Sequence, residues 1–309
     1  MTSGRSYTKQ APGLLFGFNM EWAIAIRSDL LTPIFKAFSA LGYGGFLFLF
    51  MPLGYWLLSK NLFARVGLWL LLSALLNTYL KDLFQDPRPD PLFQLDAAVG
   101  QSYGFPSGHA QIAIVVWFWL AWEVRRTWMW ILSTILVLGI CFSRLYLGVH
   151  DVGDVLGGIG IGLLSLVIFI FVTSKRFEWW RKFHPFWQIL ALAIIEAAFF
   201  LTWPQELSGS VMGYGALLIG FWIGVIIERE WIFFQKHPDW WRIIASGVIG
   251  VILFVALQKG FEAVPGMFGN GKTTVALIQA FVSGVYVTAL APWIFQLLRL
   301  AEKRRPVDG

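Results

Sequence analysis

One cysteine in 309 residues, Cys141, leaves no partner for an intrachain disulfide, so no cystine framework holds this chain together. Packing inside an apolar stretch is the role its position implies. Histidine is scarce as well: there are four, with no H-x-x-x-H or H-E-x-x-H pair, no clustered cysteines and no carboxylate cage. The sequence therefore offers no metal-site pattern, and no cofactor or metal is expected. Charged residues are only 14% of the chain, too few to coat a soluble domain, while 57% are hydrophobic and the mean hydropathy is +0.66. The first ten residues lack an apolar core segment, so no cleavable signal peptide is expected there and the first span is expected to direct insertion. The segment 264–274, V-P-G-M-F-G-N-G-K-T-T, lacks the G-x-x-x-x-G-K-[ST] spacing of a nucleotide loop and reads as a plain outer turn.

What the chain has in abundance is apolar runs of the length, roughly 20 residues, that crosses about 30 Å of hydrocarbon. Nine are expected: 42–59, 65–84, 107–124, 128–147, 151–173, 188–203, 211–228, 243–261 and 275–298. The fold class is all-α, a polytopic membrane helical bundle. Many of the 17 Trp residues flank these runs, and Trp179, Trp180, Trp187, Trp231, Trp240 and Trp241 read as headgroup-level belt residues. Residues 18–38, with Trp22, Ile26, Leu30 and Phe35 among Arg27, Asp29 and other polar neighbours, read as a helix lying on the membrane surface.

The net charge of +6 is not a nucleic-acid signal, because in such a chain the placement of Lys and Arg matters more than their sum. Fifteen of the 24 lie in the connections near 60–65, 125–127, 174–187 and 229–242 and at the C-terminus, and nine lie on the other side. The richer side is expected to be cytoplasmic, which puts the N-terminus and the connection holding the motifs below outside.

Ionisable residues at span ends are costly unless they serve a purpose, and three segments on that outer side concentrate them. They are K-D-L-F-Q-D-P-R-P from Lys81, F-P-S-G-H from Phe105, and S-R-L-Y-L-G-V-H-D-V-G-D from Ser143. Lys81, Arg88 and Arg144 are three cations that would repel one another without an anion, and a phosphate group, which arginine grips bidentately, fits them. Pro106, Ser107 and Gly108 open the third span, with serine expected to cap free N–H groups and glycine to admit close backbone approach. His150 is expected to open the fifth span, so that two helix N-termini converge on one anion. His150 and Asp154 are four apart and expected on one helical face, where the carboxylate would take one ring N–H and free the other nitrogen to attack. Asp151 lacks that spacing and stays outside the catalytic set. The connection 85–105, rich in Pro and Asp, is expected to form a rim over the headgroup.

In chain order these read K-x-x-x-x-x-x-R-P, P-S-G-H and S-R-x-x-x-x-x-H-x-x-x-D, a set that resembles the type-2 phosphatidic acid phosphatase family over residues 81–154. The resemblance implies a six-helix phosphatase core within residues 1–175. It implies that His150 forms a phosphohistidine, that Asp154 supports it, and that His109 protonates the leaving oxygen and then activates water. It also makes Lys81, Arg88, Ser107, Gly108 and Arg144 the phosphate-binding positions. Substrates would be lipid phosphates or diphosphates: an isoprenoid diphosphate, phosphatidylglycerol phosphate, phosphatidic acid or a sphingoid phosphate. Partners would be that substrate and membrane lipids.

Residues 176–309 are further membrane helices packed with this core, with no role assigned by the motifs. Glu196 sits in mid-span, either as a functional group or paired within the bundle. Gly153, Gly157, Gly158 and Gly162 give small-x-x-x-small pairs suited to packing within the bundle. His184 and His237 read as interfacial residues far from the motifs. Two rivals stand beside the lipid phosphatase: a sugar-phosphate phosphatase resembling glucose-6-phosphatase, and a non-catalytic lipid transporter or binding protein.

Overall fold

The structure, a computed structural model, describes residues 21–96, 99–100, 102–173, 183–263 and 272–303. Two short helices, α1 (Glu21–Ala25) and α2 (Leu31–Ala40), precede α3 (Gly44–Leu58), α4 (Lys60–Phe84) and α5. Helix α5 runs from Gly108 through a π turn at Ile114–Phe118 to Val124. Then follow α6 (Thr127–Tyr146), α7 (Val152–Thr173), α8 (Pro185–Leu201), α9 (Gly209–Ile232), α10 (Trp240–Ala263) and α11 (Thr273–Leu297). Strands β1 (Phe234–Lys236) and β2 (Ala301–Lys303) pair antiparallel after α9 and α11.

Each of the nine expected runs falls on a helix, but among the described residues six helices are long and apolar enough to cross a membrane: α4, α6, α7, α9, α10 and α11. A seventh arises if α2 and α3, bent by 55° at their junction, count as one span. Helix α8 has 17 residues, about 25 Å at 1.5 Å per residue and so short of the hydrocarbon thickness. Helix α5 is short for the same reason, being built from consecutive pieces of six, five and six residues.

The expected surface helix over 18–38 is, where described, two helices that join the bundle. Arg27 turns inward at the break and donates to the carbonyls of Tyr146 (3.0 Å) and Phe93 (2.6 Å). Phe35 of α2 packs on Phe142 and Tyr146 of α6, at ring distances of 5.1 and 4.5 Å. Arg27, one of the polar residues that suggested a water-facing stripe, instead fastens this segment to the end of α6.

Lipid tails are as apolar as leucine, so close packing and buried hydrogen bonds, rather than water exclusion, hold such helices together. Helix α7 meets α5 along its glycines: a Cβ on Gly158 would lie 2.4 Å from the Ser107 carbonyl oxygen, and one on Gly162 would lie 2.9 Å from the Ile114 Cβ. Gly157 faces the Phe105 ring in the same way. Below them Phe169 packs on Trp119 and Trp69, at 3.7 and 4.5 Å. Cys141 is a buried free thiol in α6.

The C-terminal helices pack directly on this core. Gly67 of α4 receives the Phe221 ring of α9, and Trp56 of α3 donates its indole N–H to the Val287 carbonyl of α11 at 2.8 Å. At the end of the bundle where α4 begins, Lys60 bridges the buried Glu228 at 2.6 Å, and Glu228 also accepts from the Phe234 N–H. That junction ties the starts of α4 and β1 together and leaves the other end of α4, at Lys81, for the motifs.

Candidate active site

The three motifs meet where α4 and α6 end and α5 and α7 begin. Ser107 N–H donates to the Asp154 carbonyl at 2.9 Å, so the starts of α5 and α7 are joined directly. Helix α7 begins at Val152, two residues after His150. The expected shared helical face is therefore replaced by a capping bend. Asp151 Oδ1 accepts the Asp154 N–H (2.8 Å), Asp154 Oδ2 accepts the Asp151 N–H (3.2 Å), and this reciprocal pair is a capping box. The bend brings His150 Nδ1 to 2.9 Å from Asp154 Oδ2. Asp151 is thus the cap that shapes the turn, not a member of the reacting set.

The partners of His150 fix its tautomer. Arg88 Nη1 stands 3.1 Å from His150 Nε2, and a guanidinium can only donate, so Nε2 carries the lone pair and Nδ1 carries the hydrogen given to Asp154. Burial first, and then the nearby charges of Arg88, Lys81 and Arg144, hold the His150 pKa well below its ordinary 6.5. The ring is accordingly neutral near pH 7, and the His150–Asp154 contact is a hydrogen bond rather than an ion pair.

Each of the three cations already has acceptors. Lys81 Nζ donates to the carbonyls of Tyr103 and Gly104. Arg88 binds the Ser102 carbonyl at 2.6 Å, the Ser102 hydroxyl at 2.9 Å and the Val149 carbonyl at 2.8 Å. Burial, and next the charge of Arg144, lower the Arg88 pKa to about 10, still protonated at neutral pH. Arg144, 1% exposed, donates to Ser39 Oγ and lies 3.4 Å from Asp96 Oδ2. Tyr43 caps this group: its hydroxyl donates to Asp96 at 2.6 Å and its ring lies 5.6 Å from the Arg144 guanidinium carbon.

His109 lies edge-on to the Tyr43 ring, with 4.6 Å between centroids, and its Nε2 is buried without a hydrogen-bond partner. Gly42 makes room for it, since a Cβ there would fall 2.3 Å from the His109 ring. Ser107 occupies the N-cap position of α5 but makes no capping hydrogen bond, and its buried Oγ has no partner, contrary to the capping role expected of it. Gly108 packs against Asn77, whose amide donates to the Pro106 carbonyl (3.2 Å) and to Gln111 Oε1 (2.9 Å).

Ser39, Tyr43, Asn77 and Gln111 were not singled out from the sequence, and Asp96 only as part of the rim at 85–105. Asn77 carried a signal, being an amide in an apolar span one helical turn before Lys81. Tyr43 and Ser39 carried none, because only the bend between α2 and α3 brings them over Arg144. The expected rim at 85–105 is, where described, fastened by Leu95 N–H to the Leu147 carbonyl (2.9 Å) and Gly104 N–H to the Asp86 carbonyl (2.7 Å).

Other sequence candidates lie elsewhere. Glu196 is buried in the α8–α9 seam, where a Cβ on Gly215 would sit 3.1 Å from its Oε2. His184 caps α8, and His237 accepts the Asp239 N–H at 3.1 Å. Trp187, Trp231, Trp240 and Trp241 are exposed, whereas Trp179 and Trp180 lie outside the described residues, as does most of the expected turn at 264–274.

The PAP2 superfamily model matches residues 62–181, the segment holding all three motifs, and a second model, PAP2 superfamily phosphatase, transmembrane extension, matches 212–303. The chain is 24% identical over 304 residues to human sphingosine-1-phosphate phosphatase 2, covering 92% of this chain and 72% of that one. It is 32% identical over 174 residues to phosphatidylglycerophosphatase B of Bacillus subtilis, covering 50% and 79%. A solved structure, the transmembrane PAP2-type phosphatidylglycerolphosphate phosphatase of Bacillus subtilis, aligns at a TM-score of 0.43 and 26% identity, over 50% of this chain and 83% of that one. With the motif groups gathered on one His–Asp pair and both models matched in order, the chain belongs to the PAP2 superfamily and carries its transmembrane extension.

Proposed function

We propose that the protein hydrolyses a lipid phosphate monoester or diphosphate by way of a phosphohistidine, without a metal, at the extracytoplasmic face of the membrane. The observation that carries this reading is His150 Nε2, a lone-pair nitrogen set by Asp154 behind it and surrounded by Arg88, Lys81 and Arg144. Nε2 attacks phosphorus as the bond to the leaving oxygen breaks, and His109 gives that oxygen a proton. A water then loses its proton to His109 and attacks the phosphohistidine, releasing phosphate and restoring Nε2. The cations exchange their present carbonyl, hydroxyl and carboxylate partners for phosphoryl oxygens and offset charge as phosphorus becomes five-coordinate.

Relatives named for sphingosine-1-phosphate and phosphatidylglycerophosphate support a lipid substrate over a sugar phosphate. The larger positive charge of the connections opposite the motifs supports an outward-facing site.

The test is phosphate release by the purified protein in detergent with a chelator present. Sphingoid phosphates, phosphatidic acid, phosphatidylglycerol phosphate, an isoprenoid diphosphate and glucose 6-phosphate would be assayed side by side. Turnover of a lipid member undiminished by chelator is expected. Preference for glucose 6-phosphate, or loss of activity in chelator, would contradict the proposal.

A further inference from the structure

A cavity of about 320 Å³ opens beside the site and leads away from it into the bundle. At its polar end it is lined by His109, Gly108, Asn77 and Tyr43. From Asn77 it follows α4 back to Gly67, ten residues or about 15 Å along the helix axis. Over that length its walls are mostly apolar, with Tyr214 and Ser283 the polar residues among them. Met51 of α3 and Leu70 of α4 face Leu217 and Phe221 of α9, Phe254 of α10 and Val287 of α11. The last four belong to the transmembrane extension, so the cavity exists only where the extension closes against the core.

Resting on the phosphatase reading, we infer that this cavity holds the hydrocarbon tail of the substrate, one chain rather than two, and that the extension selects substrates by shaping it. The leaving oxygen is the atom that joins phosphate to the tail, and it must sit at His109 to receive a proton. Because His109 itself lines the cavity, the tail leaves the reacting centre at the cavity mouth. The unpartnered His109 Nε2 marks where that oxygen arrives. The volume lies at the lower end of the range for small-molecule sites, about 300–1,000 Å³, which suits a single chain. The mouth is polar and the walls below it are mostly apolar, as a headgroup-to-tail gradient requires.

The experiment compares kcat/KM for hexadecyl phosphate and butyl phosphate in the full-length protein and in two variants that fill the cavity from different extension helices, Leu217→Trp and Val287→Phe. Each buried methylene is worth about a fourfold factor, so displacing a few of them should lower the hexadecyl-to-butyl ratio at least tenfold. A wild-type protein that hydrolyses neither ester nor any lipid phosphate sinks the phosphatase reading itself. Turnover in the wild type, with a ratio unmoved in both variants, overturns the tail cavity and leaves that reading standing. A folding defect lowers both rates together and leaves the ratio unmoved, so it cannot pass for success. A wild-type preference for a two-chain phosphate over hexadecyl phosphate also overturns the single-chain assignment.

Discussion

His150→Ala is expected to lower kcat by at least about 10⁴-fold, to the background set by binding and charge stabilisation alone. Among the described residues no other histidine is joined both to a carboxylate and to one of the three cations, so nothing replaces Nε2 as the attacking atom. The cations keep their own backbone acceptors in the variant, since Lys81 and Arg88 are anchored to Tyr103, Gly104, Ser102 and Val149 rather than to His150 alone. Vanadate, which mimics five-coordinate phosphorus, should therefore still bind measurably. Phosphate release together with vanadate binding checks both halves. Retention of more than about a hundredth of wild-type kcat would remove His150 from the nucleophile's role.

Asp154→Asn should separate chemistry from binding more sharply. Asp154 Oδ2 accepts from both His150 Nδ1 and the Asp151 N–H, so it fixes the tautomer and the bend at once. An amide in its place either turns its NH₂ to the ring and moves the ring hydrogen onto Nε2, or keeps the geometry without the charge that supports a developing cation. A fall in kcat of about 10³–10⁴-fold is expected, comparable to removing an orienting carboxylate behind a catalytic histidine in other enzymes. Because Asp154 is not one of the cations that would hold phosphate, the vanadate inhibition constant should change by no more than about threefold. Equal and mild losses in rate and affinity would contradict the assigned roles.

The difference between what was legible in the sequence and what was not follows from the range of each interaction. The apolar runs were readable because bilayer thickness sets a length that composition alone reveals, and each lies on a helix. Composition misleads at α5 and α8, which are apolar enough to read as spans although each helix has only 17 residues. Lys81, Arg88, Arg144, His109, His150 and Asp154 stood out because ionisable groups are rare in such a chain. The local geometry around them did not follow from spacing. The four-residue interval of His150 and Asp154 suggested a helical face, whereas the capping box of Asp151 makes the contact before the helix begins. Ser39 and Tyr43 depend on a 55° bend between helices that no local pattern announces. The tail cavity is a property of helices more than 200 residues apart in sequence, Met51 and Val287 among its walls, and only the packed bundle reveals it.

The most direct test of the central claim is to mix the protein with a radiolabelled lipid phosphate, quench in denaturant within milliseconds, and ask where the label resides. The account predicts acid-labile, base-stable phosphate on His150, accumulating further in His109→Ala if loss of the water-activating base slows the second step more than the first. It predicts none in His150→Ala. Full turnover with no label on His150 under any quench would contradict it, and label on another residue would move the nucleophile there.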